Sequence, residues 1–579
     1  SLERSRLLNV KISCVVGAND GVLPARPMEK GVLTEEDRMS LHHQGIELAP
    51  TAREQLLDES FIIYLALAGA SHELYISYPL ADEEGKALLP SMIIKRLRDL
   101  FPDIQTEIFI NEPEELPEEE QLSFIVNEDV TISYLTSQLQ AWKRSYPISS
   151  IWWDTYTYFT QQEQKETLSK VVGSLFYRNE AETLQSDISR ELYGEHIQGS
   201  VSRMEMFKAC AFSHYATHGL KLKERQYFRL EAPDIGQMFH SALKLISDRM
   251  QQLKLDWKDL SKDQCARLSH DAVETLAPRL QREILLSSNR HHYLKRKLVS
   301  IITRASSILS EHAKASGFAP AGLELGFGKG GPLPPIRFQL DNGCTMELIG
   351  RIDRVDKAES SKGVLLRIVD FKSSDKALNL AEVYYGLALQ MLTYLDVIIT
   401  HSKSWLGVEA TPAGVLYFHV HDPMIQTASQ LPQDKIEEEI FKKFKMKGLL
   451  LGDEEAVRLM DQTLDSGLSK IVSAGLKKDG GFRSDSAIAS EGEFDLLRGH
   501  VRSIFQSIGT DITNGVVDIA PYKMKEKVPC TFCSFKSVCQ FDQSLAENQY
   551  RMLKDDKKDV ILTRLRNEAG GEENDTETK

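Results

Sequence analysis

Apolar positions along this chain recur with a period near two in some stretches and near 3.6 in others. KISCVVG (11–17) reads as a strand, and a turn at Asn19-Asp20-Gly21 follows it. Helical spacing begins at Thr34 and again across 51–70, and 73–78 reads as a second strand. This alternation predicts an α/β domain over residues 1–110. NEPEELPEEEQ (111–121) is acidic and broken by proline, so it predicts a linker, continued by helical patterns to 199. Within them, IWWDTYTYF (151–159) reads as packing. Beyond residue 200 come helices over 203–220, 234–251 and a long span to 315, then strands between 322 and 373 and another at 407–420. Helices wrapped around a compact sheet are the expectation for 200–545. Residues 546–579 predict a C-terminal helix and a disordered acidic tail. The fold class is therefore α/β and multi-domain.

The chain has 579 residues, of which 42% are hydrophobic and 27% charged, as in ordinary globular proteins. A net charge of −14 argues against indiscriminate binding to polyanions. Local basic runs stand out at GLKLKERQYFR (219–229), NRHHYLKRK (289–297) and FKKFKMK (441–447). Each has the ordinary reading of a solvated helix face. The longest apolar stretch, near 61–70, is far shorter than the ~20 residues of a membrane span. No signal-peptide pattern opens the chain, and seven cysteines do not make a disulfide framework. A cytoplasmic location is expected, and the strand-like opening suggests the back part of a longer polypeptide.

Candidate chemistry concentrates in CTMELIGRIDRVDKA (344–358) and GVLLRIVDFKSS (363–374), two strands of a hairpin. Alternation places Asp370 and Lys372 on one face, with Phe371 on the other. Asp353 falls near the end of the first strand. Two carboxylates and a lysine converging at a sheet edge suit a hard cation such as Mg²⁺, with the ammonium orienting or activating water. Asp-x-Lys alone is common and usually marks a solvated strand end.

The ordered set is more specific: GQMFH ending at His240, Glu324 in LELGFG, GRID ending at Asp353, VDFK ending at Lys372, then Gln390 and Tyr394 at i and i+4. It resembles the RecB-type branch of the PD-(D/E)XK nucleases. The resemblance implies that His240, Asp353 and Asp370 hold Mg²⁺, with the Phe371 backbone carbonyl as a further ligand. It implies that Lys372 is the catalytic lysine and that Glu324, Gln390 and Tyr394 support the site.

VPCTFCSFKSVC supplies Cys530, Cys533 and Cys539, three thiols that want a fourth from Cys14, Cys210, Cys265 or Cys344. Four thiolates suit either zinc or an iron-sulfur cluster. One cysteine ahead of the nuclease motifs and three behind resembles the iron-sulfur staple of AddB-type nucleases, which implies a 4Fe-4S cluster on Cys210, Cys530, Cys533 and Cys539. VVGANDGVLPAR with GVLTEEDR (15–38) and the GLKLKER block extend that resemblance over almost the whole chain. It implies an Mg²⁺-dependent DNA exonuclease subunit, paired with an AddA-type helicase-nuclease, that resects double-strand ends. That subunit would cut the 5′-ended strand and help recognise a recombination hotspot.

The front domain resembles the second RecA-like half of superfamily 1 helicases. Gly69 in YLALAGASHELYIS stands where active members carry an arginine for the ATP γ-phosphate. GFGKGGP (326–332) has the glycines of a phosphate loop but neither its spacing nor its hydroxyl. An inactivated helicase-like scaffold is the expectation. The alternatives are a free-standing iron-sulfur exonuclease of the CRISPR-adaptation type and a nuclease-dead DNA-guiding subunit.

Overall fold

A computed structural model describes residues 10–25, 33–46, 48, 52–82, 85–161, 165–225, 227–426 and 432–576. The chain divides into two compact units, Ser1–Phe176 and Tyr177–Lys579. Part of the 15–38 motif, residues 26–32, lies outside the described residues.

In the first unit, β1 (Val10–Val15) and β2 (Ala70–Ile76) pair in parallel. Parallel neighbours need a crossover, which includes α1 (Ala52–Ala68). Gly69 sits in the turn between α1 and β2. A second small core gathers Leu135, Trp152, Phe159 and Leu168 from helices Glu128–Lys143, Ser150–Gln161 and Lys165–Ser174. The acidic stretch expected as a linker is packed against it. Its turns Pro113–Glu115 and Glu120–Phe124 bury Pro113 and Gln121, and Gln121 Oε1 accepts the Trp152 indole N–H at 2.8 Å. The glutamates misled because they describe only the solvent side of the segment.

The second unit is built on a mixed six-stranded sheet. Its members are β4 (Ala319–Phe327), β7 (Gly350–Ser360), β8 (Gly363–Lys372), β9 (Ala410–His419), β10 (Lys447–Leu451) and β11 (Ile488–Ala489). Their spatial order is β11-β10-β9-β8-β7-β4. A three-stranded sheet, in the order β3-β6-β5, stands beside it, formed by β3 (His196–Gly199), β5 (Ile336–Gln339) and β6 (Thr345–Leu348). β8 and β9 are near-continuous apolar runs because they are interior strands, buried on both faces.

Helices α2 (Val201–Ala209), α3 (Ala232–Leu253), α4 (Lys262–Leu276), α5 (Asn289–Lys314), α6 (Gln390–Thr400) and α7 (Glu491–Thr513) enclose these sheets. α6 covers the middle of the large sheet and is buried from Met391 to Ile398.

Four expectations change. The 344–358 strand is split at Ile349, whose N–H bonds the Gly199 carbonyl at 3.0 Å, so its halves join different sheets. Asp353 is consequently near the start of β7, not near a strand end. Asp370 lies on an interior strand, not at a sheet edge. The 203–220 helix breaks at Cys210, which is extended at φ −165°, and the Phe212 N–H turns to the Asp518 carbonyl. The described part of the acidic tail, as far as Thr576, belongs to the helix Lys558–Thr576. Among the described residues no helix is long and apolar enough to cross a membrane.

Candidate active site

β7 and β8 run antiparallel, so the start of one faces the end of the other. Their ladder stops at Arg354 opposite Val369. One residue further, Asp353 and Asp370 stand across from each other on the same face. There the Asp353 side chain takes over from the ladder, and its Oδ2 accepts the Phe371 N–H at 2.9 Å. In a strand the N–H and C=O of one residue point to the same side, so the Phe371 carbonyl faces this gap too.

Asp370 is 1% exposed. Lys372 Nζ lies 2.6 Å from its Oδ2 but off the line of a hydrogen bond, leaving that buried oxygen without a donor. Burial first, then the neighbouring Asp353, push the Asp370 carboxyl up to about 6, with Lys372 partly offsetting them. A buried, donor-poor carboxylate beside a second one is what a cation would relieve.

α3 contributes His240, whose Nδ1 is 3.1 Å from Asp353 Oδ2. Burial would lower this imidazole, but Asp353 and then Asp370 outweigh it and hold it above its ordinary value. Gly236, one turn earlier, faces the end of β8, where a Cβ would make ordinary contact with Ser373 Oγ at 3.4 Å. Glu324 arrives from β4 in a left-handed conformation, φ +48°, inside a strand. Such backbone is costly for a non-glycine residue, yet the register runs on through it, Leu323 opposite Arg354 and Leu325 opposite Ile352, so Glu324 stands across from Asp353. His240, Glu324 and Asp353 have ligand atoms all within 4.8 Å of one another. Glu324 is thus closer to the centre than a supporting role suggests. Arg351 approaches it at 3.3 Å.

Lys372 is steadied from α6. Gln390 Oε1 accepts from its ammonium at 3.3 Å, and Gln390 Nε2 donates to the Tyr394 hydroxyl at 2.9 Å. The residue that fixes the start of α6 escaped the sequence reading. Glu205 Oε1, from α2, accepts the N–H groups of Leu389 and Gln390 at 2.6 and 3.0 Å. Burial raises its carboxyl, and those two N–H groups lower it. The only sequence signal was an acid inside the apolar helix VSRMEMFKA.

Cys210, Cys530, Cys533 and Cys539 lie near one another. Cys530 lies in the turn Pro529–Phe532 and Cys539 ends the helix Lys536–Cys539. Arg551 ties this region to the end of α2 by donating to the Lys208 and Ala209 carbonyls. Cys210 is the next residue. Burial, then the charges of Cys210, Cys530 and Cys533, push the Cys539 thiol up to about 11. Cys265 and Cys344 are buried elsewhere, and exposed Cys14 belongs to the first unit. Among the described residues His240, Glu324 and Asp353 are the one group of three candidate metal-ligating side chains with ligand atoms within 4.8 Å of one another.

The glycine-rich GFGKGGP leads to β5 through a turn closed by Gly328 N–H to the Leu333 carbonyl at 2.9 Å. No helix follows it, so it is no phosphate loop.

The site thus joins two facing carboxylates, a lysine two residues on and a helical histidine on a mixed sheet. The family model of the PD-(D/E)XK nuclease superfamily matches residues 198–540, and the chain belongs to that superfamily. A model of the fifth domain of the ATP-dependent helicase/deoxyribonuclease AddB matches residues 117–174. The chain is 64% identical to the B subunit of the ATP-dependent helicase/deoxyribonuclease of Bacillus licheniformis over 568 residues, 98% of this chain and 49% of that protein. It is 64% identical to the Bacillus subtilis protein of the same name over 573 residues, 99% of this chain and again 49% of the relative. The chain thus spans about half the length of the curated relatives it matches.

Proposed function

We propose that this chain is the nuclease-bearing part of an AddB-type helicase-deoxyribonuclease polypeptide and hydrolyses DNA phosphodiesters with Mg²⁺. The observation that carries this reading is the convergence of His240, Asp353, Asp370 and Lys372 where the β7–β8 ladder ends. The donor set is hard oxygen plus one imidazole, and Asp370 keeps a buried oxygen without a hydrogen-bond donor. His240, Asp353, Asp370 and the Phe371 carbonyl would hold the ion, with Glu324 in reach. When bound, Mg²⁺ supplies positive charge to the scissile phosphate. Lys372, fixed between Asp370 and Gln390, orients the attacking water and balances charge developing on the phosphate. Tyr394 and Glu205 hold Gln390 for that task.

Cys210, Cys530, Cys533 and Cys539 hold a 4Fe-4S cluster in this reading. The donor set is all thiol, which suits an iron-sulfur cluster, and Cys210 and Cys539 each lie close enough to Cys530 and Cys533 to feel them electrostatically. The cluster pins residue 210 to the 530–539 segment across more than three hundred residues of chain.

The likeness to the two Bacillus relatives over 98–99% of this chain favours a partnered polypeptide over a free-standing exonuclease. The partner would be an AddA-type helicase-nuclease and the substrate double-stranded DNA ends, acted on in the cytoplasm. This chain cuts the 5′-ended strand and contributes to hotspot recognition, while its first unit turns over no ATP. The test is strand-specific end labelling in a complex whose partner nuclease is inactivated. Loss of 5′-strand cutting on Asp370→Ala is expected, and full 5′-strand cutting by that variant would overturn the reading.

A further inference from the structure

The basic run NRHHYLKRK takes no part in either centre. It opens α5 with four Lys or Arg residues and no acid in nine positions, on a chain whose net charge is −14. Leu294, Leu298, Ile302 and Ala305 turn one face of α5 inward, while Arg290, His292, Tyr293, Arg296 and Lys297 lie exposed.

The direction of α5 relative to the sheet follows from two contacts. His312 packs on Phe418 near the end of β9, with ring centroids 6.0 Å apart. Eight residues earlier, Arg304 pairs with Asp422, three residues beyond the end of β9, and Lys297 reaches the same carboxylate at 3.4 Å. Moving toward the helix N-terminus therefore means moving outward past the sheet. β8 and β9 are parallel, with Lys372 beside His419, so these are the strand ends at which the catalytic groups stand. From Arg304 to Arg290 the helix runs on for about 21 Å, at 1.5 Å per residue. Between the two features lie His419 and His421, their rings stacked at 3.9 Å.

We propose that the exposed N-terminal half of α5 is a rail for single-stranded nucleic acid that leads to the catalytic end of the sheet; this rests on the nuclease reading. Its length accommodates about six nucleotides at the 3.4 Å per-strand spacing of stacked DNA, and fewer if the strand is stretched. Among the described residues Lys295 pairs with Glu274 and Lys297 with Asp422, whereas no carboxylate pairs with Arg290 or Arg296. Those two guanidinium groups are available to phosphates. Tyr293, 51% exposed between them, offers a ring on which a base can stack. An acidic protein segment would use the cations but has no call for the aromatic face beside them.

The experiment uses the full-length protein in complex with its helicase partner, the partner's nuclease inactivated, and two 5′-labelled probes, dT20 and the trinucleotide dT3. The trinucleotide fills the catalytic end without reaching Arg290. Arg290→Ser with Arg296→Ser is expected to raise the KM for dT20 at least tenfold and to flatten the salt dependence of dT20 binding by about two phosphate contacts. Tyr293→Ala is expected to weaken dT20 by about five- to a hundredfold, the range of one lost base stack. Turnover of dT3 stays at the wild-type level in both, which also reports that the catalytic unit is folded. Unchanged KM for dT20, or equal losses on dT3 and dT20, would overturn the rail while leaving the nuclease reading standing. A wild type that cuts neither probe would count against the nuclease reading alone, because anisotropy of dT20 binding still judges the rail.

Discussion

Asp353 accepts the backbone N–H of Phe371 at 2.9 Å, closing with a side chain the strand pair that the backbone leaves open. In the proposed reading Asp353 has two duties, holding the end of β8 and facing a cation. Substitution separates them. Asp353→Asn keeps an oxygen for the Phe371 N–H and removes the charge, so the fold and thermal midpoint should persist while Mg²⁺-dependent cleavage falls by about a thousandfold, the several kcal/mol a metal supplies. Asp353→Ala should lose the same activity and some stability besides. Cleavage by Asp353→Asn at the wild-type rate would show that the carboxylate charge is not used.

Three residues along the same strand, Asp356 looks alike in sequence and differs in physics. It is fully buried between Arg354 at 2.6 Å and Arg367 at 2.9 Å, on the opposite face of the sheet from Asp353. Asp356→Ala would strand two buried guanidinium groups, costing about 3–5 kcal/mol. Chemical denaturation should show that loss, and a stable Asp356→Ala variant would contradict the buried-triad account.

Glu205 acts through α6, so its test needs a readout of position. Glu205→Gln retains an oxygen for the Leu389 and Gln390 N–H groups and should stay near wild type. Glu205→Ala leaves both without that acceptor, with an expected loss of about 1–2 kcal/mol and a lower kcat at unchanged KM, because Gln390 no longer steadies Lys372. A raised KM with unchanged kcat would place Glu205 in substrate binding instead.

Protons would compete with a cation at this site. Asp370, held at about 6, keeps its proton longer in the folded protein than in the unfolded chain. Stability of the metal-free protein therefore falls as pH rises from the ordinary aspartate value through 6. His240 is also held above its ordinary value, and both groups must deprotonate to bind a cation. Mg²⁺ affinity, followed by calorimetry, should increase from pH 6 to 8 with proton release, and His240→Asn should flatten that rise. An affinity independent of pH over this range would refute the ligand set.

Much of the site was legible because a strand's alternation is strict: Asp370 and Lys372 share a face in any β arrangement, and they do here. Gln390 and Tyr394 were legible for the same reason on a helix. What alternation cannot reveal is where a strand is broken. The Ile349 break, set by a bond to Gly199 some 150 residues away, moved Asp353 from a strand's end to its start. Glu324 was underread because its position opposite Asp353 is set by the β4–β7 register, which joins strands some thirty residues apart and leaves no local signal. Glu205 was missed since its partners are backbone N–H groups of a distant helix, which leave no side-chain signature. β10 was also missed: Lys447–Leu451 is a five-residue run following a basic helix end, too short to separate from that helix by periodicity.

The central claim is that Asp370 and Lys372 serve one metal-dependent cleavage reaction in different ways. The most direct measurement is hydrolysis of 5′-labelled DNA by the full-length protein with a nuclease-inactive partner, run alongside Mg²⁺ calorimetry, for wild type, Asp370→Ala and Lys372→Ala. The account predicts Mg²⁺-dependent cutting by the wild type, loss of both cutting and Mg²⁺ binding in Asp370→Ala, and retained Mg²⁺ binding with lost rate in Lys372→Ala. Full 5′-strand cleavage by Asp370→Ala, or Mg²⁺ affinity lost as severely in Lys372→Ala, would contradict it.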